Sequence, residues 1–264
     1  MNMLFHIKSY FNFLLNSTNA HGVHSPFVFD LVTKCFYDNT DYPEYSVLNR
    51  YRQALLSDTT SISVTDFGAG SRVFKSNSRS VSQIAKTAGI TPARARLLFR
   101  IVQYLKPESI LEIGTSVGLA TSALSLGNLK GNIITLEGCA QTASVAKRQF
   151  DTFDLENIEL VVTEFNAFLD SGQTAHNQCA DFDLIYLDGN HTKKATLEYF
   201  QKLLPTATND SCWIFDDIHW SAEMEEAWDV IKKHPKVTVT IDTYQWGFVF
   251  FRKEQNKEDF VIRI

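Results

Sequence analysis

The sequence predicts an α/β fold in which a doubly wound, mostly parallel sheet of seven strands follows an N-terminal helical cap. From residue 109 onward, short apolar runs alternate with helical stretches, which is typical of parallel strands with helices on both faces. The residues before that point carry helical patterns and polar loops instead. We therefore place the N-terminal helical cap region at residues 1–92 and a ligand-binding core at residues 93–264.

Composition and charge narrow the classes of function. With 264 residues, 44% of them hydrophobic, the chain can bury one large α/β core. A net charge of −5 argues against a broad nucleic-acid-binding surface, and no apolar run reaches the roughly 18 residues of a membrane span. The four cysteines are scattered without a CxxC pair, which is typical of reduced thiols. We expect a cytoplasmic protein without nucleic-acid or membrane partners.

The cap region begins with an amphipathic helix pattern. Its apolar residues recur at helical spacing: Met3, Leu4, Ile7, Phe11, Leu14 and Leu15. Because Lys8 is the only cation, a helix on the core or on a second subunit of a homodimer is favoured over a helix on a membrane surface. Ser25-Pro26 and Thr91-Pro92 each combine an N-cap residue with proline at the first helical position, and another helix is expected over residues 45–56.

The pattern of apolar residues in the core predicts seven strands and five intervening helices. The strands are expected over residues 109–113, 132–137, 158–162, 183–188, 212–216, 237–242 and 247–252, and the helices over residues 117–126, 140–153, 164–171, 192–204 and 222–234. Only a few residues around Tyr244 join the last two strands. These strands should therefore form an antiparallel hairpin at the edge of the sheet.

The first core strand leads into the most informative segment, residues 110–118 with the sequence ILEIGTSVG. The strand carries Glu112, and glycines at both ends of the following turn allow the backbone to approach a ligand closely. The next strand ends in a carboxylate about 20 residues downstream, where it can accept both hydroxyls of a ribose. The residues expected to bind a nucleoside-containing ligand are Glu112, Gly114, Ser116, Gly118 and Glu137.

The residues of this loop suit one of two kinds of nucleoside-containing ligand better than the other. A dinucleotide fingerprint needs GxGxxG so that pyrophosphate can lie on the helix N-terminus, but residue 116 is serine and Glu112 would repel pyrophosphate. S-adenosylmethionine has no phosphate and carries cationic sulfonium and ammonium groups, which a carboxylate attracts. We therefore expect S-adenosylmethionine as the cofactor. An NAD-binding oxidoreductase-like protein and a non-catalytic binding module remain as alternatives.

Three segments carry a resemblance to a known family: LEIGTSVG at residues 111–118 with Glu137, FDLIYLDGNH at residues 182–191, and WIFDD at residues 213–217. Together they resemble class I S-adenosylmethionine-dependent methyltransferases, in particular the small-molecule O-methyltransferases of the catechol and sugar-tailoring type. The resemblance covers roughly residues 95–252. It implies a Rossmann-like methyltransferase fold, a small-molecule acceptor methylated on oxygen, and a cap over the core.

Carboxylates follow the fourth and fifth strands, at Asp188, Asp216 and Asp217. Because neighbouring ends of parallel strands lie side by side at the ligand-binding edge, we expect these side chains to converge. Converging carboxylates repel one another unless a cation or protons intervene, and oxygen ligands suit Mg²⁺. In the catechol-type enzymes an Asp and an Asp-Asn pair hold the metal. The resemblance implies the same role here, with Asp in place of Asn at position 217.

Two histidines are candidates for the general base. The catechol-type enzymes use a Lys three residues after the first metal ligand, and the resemblance places His191 at that position. A histidine with a pKa near neutrality can accept a hydroxyl proton during methyl transfer. His219 is the second candidate. In the alternative interpretation, Asp188 contacts the methyl donor or caps the following helix, and the pair at 216 and 217 caps the helix after it.

Two further motifs are interpreted as structural. The segment DFGAGS at residues 66–71 resembles a donor loop, but no helix pattern and no strand with a terminal acid follow it at the right distance. Residues 82–96 suggest a helix-turn-helix with arginines nearby. The acidic balance of the chain favours a solvated helix face there instead.

Overall fold

A computed structural model of the chain describes residues 3–65, 76–171 and 181–264. The second glycine segment at residues 66–71 and Cys179 lie outside these residues. The chain forms two compact units, which we name the middle unit (Asp38–Phe168) and the terminal unit (Met1–Tyr37 together with Leu169–Ile264). The predicted division into a cap at residues 1–92 and a core at residues 93–264 stays a prediction.

Helices and strands alternate along most of the described chain. The helices are α1 (Met3–Asn16), α2 (Pro26–Leu31), α3 (Glu44–Ser57), α4 (Val81–Thr87), α5 (Pro92–Leu105), α6 (Leu119–Gly127), α7 (Ala140–Thr152), α8 (Phe165–Asp170), α9 (Lys193–Leu203) and α10 (Ala222–Lys233). The strands are β1 (Ser61–Ser63), β2 (Ser78–Ser80), β3 (Ser109–Ile113), β4 (Asn132–Glu137), β5 (Ile158–Val162), β6 (Leu184–Leu187), β7 (Cys212–Asp216), β8 (Val239–Asp242), β9 (Trp246–Phe250) and β10 (Glu258–Val261).

Local capping explains where several helices begin. The hydroxyl of Ser25 accepts the N–H of Val28 at the start of α2, and Pro26 occupies the first helical position. Thr91 caps α5 in the same way, again with proline in the first turn. A capping side chain satisfies one of the otherwise free N–H groups at a helix start. Both predicted helix starts are therefore confirmed.

The main sheet has eight strands within the described residues, β3 to β10. In the middle unit β4 lies between β3 and β5, and the three strands are parallel. In the terminal unit the order is β6, β7, β9, β8 and β10. Strands β6 and β7 are parallel, and β9 runs antiparallel to both of its neighbours. The predicted doubly wound, mostly parallel sheet is confirmed.

The predicted count of seven strands is wrong, because β10 adds an eighth. This strand pairs in parallel with β8, so the hairpin of β8 and β9 does not form the edge of the sheet. Two of its four residues are exposed acids, Glu258 and Asp259, so the strand does not appear as an apolar run in the sequence. The strands β1 and β2 also form a small antiparallel pair in a region expected to hold helices and loops.

The interior of the sheet explains why its strands read as apolar runs. Every residue of β7 and β9 is buried, as expected for strands covered on both faces. In the terminal unit the fully buried side chains include Trp213, Trp246 and Phe248. Burying side chains of this size stabilises the fold by about 1.5–3 kcal/mol each. Among the described residues, no helix is long and apolar enough to cross a membrane.

Candidate functional site

The loop after β3 in the middle unit has the backbone shape predicted from its glycines. Gly114, Ser116 and Gly118 have positive φ angles of 103°, 50° and 82°. The N–H of Gly114 donates to the carbonyl of Leu136 at 3.0 Å, which ties the loop to strand β4. Glycine adopts such angles freely, whereas serine does so rarely. Ser116 must therefore be held in this conformation by its surroundings.

Glu137, the last residue of β4, supplies that restraint. One oxygen of its half-buried carboxylate accepts the N–H of Ser116 at 2.8 Å, and the other accepts the N–H of Cys139 at 2.9 Å. The carboxylate predicted to bind a ribose is thus fixed directly against the predicted loop.

Glu112 is fully buried behind the loop. The hydroxyls of Thr121 and Thr135 each donate to its Oε2 at 2.5 Å. Burial raises the pKa of Glu112 to about 7, although these two hydrogen bonds act to lower it. Its Oε1 is buried and has no hydrogen-bond partner among the described residues. Buried polar atoms of proteins are nearly always paired, so an unpaired carboxylate oxygen is typical of a functional site.

Gly118 is required by packing as well as by its backbone angle. A Cβ atom at this position would lie 2.3 Å from Oη of Tyr51 and 2.5 Å from Cε1 of Phe150. Tyr51 is fully buried and donates to the carbonyl of Val117 at 3.0 Å. Tyr51 could not be predicted from the sequence, because it lies in α3, far from the loop along the chain. Its hydrogen bond nevertheless fixes the loop just before α6.

In the terminal unit, three predicted residues form one cluster at the ends of β6 and β7. Nε2 of His191 lies 3.5 Å from Oδ1 of Asp188, and the hydroxyl of Tyr186 donates to Oδ2 of the same carboxyl at 3.3 Å. Burial and the neighbouring charge of Asp216 raise the pKa of Asp188 well above its usual value. A side-chain hydrogen bond to Asp216 acts in the same direction on the pKa of Asp188.

The charge of His191 follows from the same cluster. Burial alone would lower its pKa, but the hydrogen bond and charge of Asp188 raise the pKa to about 9, with smaller contributions from Asp216 and Asp217. Asp217 has a positive φ of 53°. Its charge acts to raise the pKa of His191, and the predicted convergence of the three carboxylates stays a prediction.

The two helix-capping alternatives do not hold. The N-cap of α9 is Thr192, whose hydroxyl accepts the N–H of Ala195, and the N-cap of α10 is Ser221, whose hydroxyl accepts the N–H of Met224. The two helices are thus capped by Thr192 and Ser221 and not by the aspartates at 188, 216 and 217. However, no group of three or more His, Cys, Asp or Glu side chains in the described part of the chain is placed to hold a metal ion.

His219 lies in a different cluster, between two carboxylates. Its Nδ1 is 2.7 Å from Oε1 of Glu225, and its Nε2 is 2.9 Å from Oδ2 of Asp242. Burial acts to lower the pKa of His219, but these two carboxylates outweigh it, and the pKa is raised. The ring also stacks on Tyr244, with 5.1 Å between centroids. Because both ring nitrogens are engaged, His219 has none left to accept a substrate proton.

Comparisons with known proteins bear on the domain and on the fold. Residues 111–218 match a family model described as a methyltransferase domain. No curated protein matches the chain. Similar solved structures include an O-methyltransferase from Bacillus cereus in complex with SAH, with a TM-score of 0.54, 17% identity, and coverage of 82% of this chain and 93% of that one.

Two other solved structures are similar over most of their length. The SAH-bound methyltransferase from Podospora anserina has a TM-score of 0.61 and 14% identity, over 88% of this chain and 98% of that one. The O-methyltransferase TomG from Streptomyces achromogenes, in complex with SAM, has a TM-score of 0.56 and 13% identity, over 84% and 95%. The predicted Rossmann-like methyltransferase fold is confirmed, and an NAD-binding oxidoreductase is not favoured.

Proposed function

We propose that the chain transfers the methyl group of S-adenosylmethionine to an oxygen atom of a small molecule, in keeping with the match of residues 111–218 to a methyltransferase domain. One observation carries this proposal. The carboxylate of Glu137 is fixed against the N–H of Ser116, beside a loop of positive φ angles that follows a buried strand. A carboxylate in this place suits the two hydroxyls of a ribose.

The residues of the middle unit fit S-adenosylmethionine better than a dinucleotide. The buried Oε1 of Glu112 lacks a partner among the described residues, and a cationic ligand can neutralise the charge that this acid would carry. A pyrophosphate would meet the negative charges of Glu112 and Glu137 instead. Gly114, Ser116 and Gly118 would bring the backbone near the donor, and Asp188 is a further candidate for contact with it.

When bound, S-adenosylmethionine supplies an electrophilic methyl carbon whose bond to sulfur breaks as a bond to the acceptor oxygen forms. The role proposed for His191 is to take the proton of the acceptor hydroxyl. Its Nε2 faces Asp188, so Nδ1 is the atom that accepts the proton, while Asp188 orients the ring. Because Asp188 also raises the pKa of His191, it makes the imidazole a stronger base. His219 is not part of this mechanism.

The predicted Mg²⁺ carries no step of the proposed reaction. Nε2 of His191 already lies 3.5 Å from Oδ1 of Asp188, and no group of three or more His, Cys, Asp or Glu side chains among the described residues is placed to hold a metal ion. The described residues therefore do not form the oxygen-rich shell that Mg²⁺ prefers. Chelation tests this point. Turnover that survives a chelator agrees with the base mechanism, whereas turnover that is abolished by chelation and restored by Mg²⁺ would assign the metal to the three aspartates.

The acceptor is expected to be a small molecule rather than a nucleic acid, in keeping with the net charge of −5. A two-part experiment tests the proposal. Calorimetric titration should show binding of S-adenosylmethionine and none of NAD. Transfer of labelled methyl from the donor to a panel of phenols, sugars, amines and carboxylates should then give O-methyl products. A chain that binds no donor would be a scaffold, and N-methyl products alone would contradict transfer to oxygen.

A further inference from the structure

Helix α1 of the terminal unit packs through one of its faces against other residues of that unit. Its two buried residues are Ser9 and Phe13. Ser9 donates a hydrogen bond to Glu225 at 2.5 Å and lies 3.2 Å from Nδ1 of His219. The ring of Phe13 lies against Tyr244, with 5.5 Å between centroids. These contacts fix which side of the helix faces the rest of its unit.

The opposite side of α1 is apolar and, among the described residues, exposed. Seven of the twelve exposed large hydrophobic side chains among the described residues belong to this one helix of 14 residues. Six of them form what we call the α1 face: Met3, Leu4, Ile7, Phe11, Leu14 and Leu15. Leu4 is 77% exposed and Phe11 is 61% exposed. Single exposed hydrophobic residues are ordinary on proteins, but a contiguous patch of this kind indicates an interaction site.

The spacing within the α1 face identifies the kind of partner. Leu4, Ile7, Phe11 and Leu14 follow one another at steps of three, four and three residues, which is the a and d pattern of a helix that packs along another helix. In the same heptad Ser9 falls at position f, on the far side from the seam, in agreement with its burial against the terminal unit. The partner should therefore be a helix with a matching apolar stripe.

Charge decides between a helix and a lipid surface. Lys8 is the only Lys or Arg in α1, and the chain as a whole carries a net charge of −5. Helices that lie on membranes normally carry several Lys or Arg residues, which attract anionic lipid headgroups. Two copies of α1, by contrast, can pair along an uncharged seam without repulsion between like charges.

The size of the α1 face suits a dimer. A large apolar side chain that is mostly exposed offers on the order of 100 Å² of surface, so the helix can bury roughly 600–700 Å² per protomer. A standard specific interface buries about 800 Å² per partner. We propose that the α1 face pairs with the same face of a second copy of this chain, so that the protein is a homodimer through α1.

The experiment compares the mass of the full-length chain in solution with that of variants, by sedimentation velocity over a wide range of concentration. The wild-type chain should be a dimer. Phe11→Glu and Ile7→Glu each place a charge in the seam and should raise the dissociation constant by at least about thirtyfold. The matched control is Phe29→Glu, which changes an exposed phenylalanine of α2 in the same unit and should leave the dimer intact.

Several results would overturn the proposal. These are a wild-type chain that is monomeric throughout, a dimer that survives both seam variants, and a dimer that dissociates with Phe29→Glu. A monomer that co-sediments with vesicles of phosphatidylcholine and phosphatidylserine would assign the α1 face to lipid instead. Because mass is read without any substrate, failure here is distinct from failure of the proposed methyl transfer.

Discussion

At the scale of single residues, Glu137 is the residue proposed to bind the ribose of the donor. We expect Glu137→Ala to weaken binding of S-adenosylmethionine by about 1–3 kcal/mol, the range of a lost charge-assisted hydrogen bond. Part of this loss arises because the N–H of Ser116 loses its acceptor. Calorimetric titration measures the affinity. Glu159→Ala, which alters an exposed glutamate of the neighbouring strand β5, is the matched control. Equal affinities in the two variants would remove Glu137 from the donor site.

His191 gives a prediction on the pH dependence of activity. A base works only in its neutral form, and Asp188 holds the pKa of His191 at about 9. The rate should therefore rise as the pH increases from neutrality and level off above pH 9. The profile of kcat against pH measures this.

The matched variant for His191 is Asp188→Asn, which removes the charge that raises the pKa. The rising limb of the profile should then move to lower pH. A profile that is flat between neutrality and pH 9 in the wild-type chain would exclude His191 as the base.

The sequence indicates the candidate residues of the site better than it indicates their hydrogen-bond partners. Glu112 and Glu137 could be predicted because each is a carboxylate at a fixed position relative to a glycine turn. Tyr51 could not, because a tyrosine among the polar residues of α3 carries no sign that it will reach the carbonyl of Val117. The pairing of His219 with Asp242 depends likewise on the packing of segments far apart in the chain.

At the scale of elements, the attachment of α1 depends on a few polar contacts. Ser9→Ala removes a hydroxyl that donates to Glu225 and lies beside His219. We expect the free energy of unfolding to fall by about 1–3 kcal/mol, because a hydrogen bond to a charged group is lost in a buried place. Denaturation by urea measures it. Ser46→Ala, at an exposed serine in α3, should change it by less than about 0.5 kcal/mol.

The same cluster predicts how stability depends on pH. The pKa of His219 is raised above its usual 6.5, so its proton stabilises the folded chain fully below pH 6.5. That contribution is lost as the pH rises through the raised pKa, when Glu225 and Asp242 lose the cation between them. His219→Gln does not titrate. The difference in unfolding free energy between the two chains should therefore shrink with rising pH, and a constant difference would contradict a charged His219.

The strands with a clear apolar pattern could be predicted from the sequence, and the strands without one could not. The strands β3, β4, β5 and β7 were predicted with the bounds they have in the structure, because each is a short run rich in apolar residues between polar or helical segments. Strand β10 has one buried residue, Phe260, and two exposed acids, so its sequence shows no apolar pattern. Its position beside β8 depends on backbone pairing, which the sequence does not reveal. Strands β1 and β2 have three residues each, too few to show a period.

At the scale of the whole molecule, fold and chemistry come from different kinds of information. The alternation of strands and helices sets the sheet, and the match of residues 111–218 to a methyltransferase domain agrees with it. The acceptor cannot be obtained in this way, because a fold hosts many substrates and specificity lies in the side chains around the acceptor. A test of the whole molecule should therefore address the proposed donor, whose candidate binding residues lie in the loop after β3 and at the end of β4.

Binding of the donor should stabilise the entire chain against heat. A ligand at about one hundred times its dissociation constant adds about 2.7 kcal/mol to the folded state. For a protein of this size, each kcal/mol raises the melting temperature by about 2–4 °C, so S-adenosylmethionine should raise it by roughly 5–10 °C. Differential scanning calorimetry measures the shift. NAD at the same concentration should give none, and the Glu137→Ala variant should need more donor for an equal shift. A shift with NAD and none with S-adenosylmethionine would reverse the choice between the two ligands.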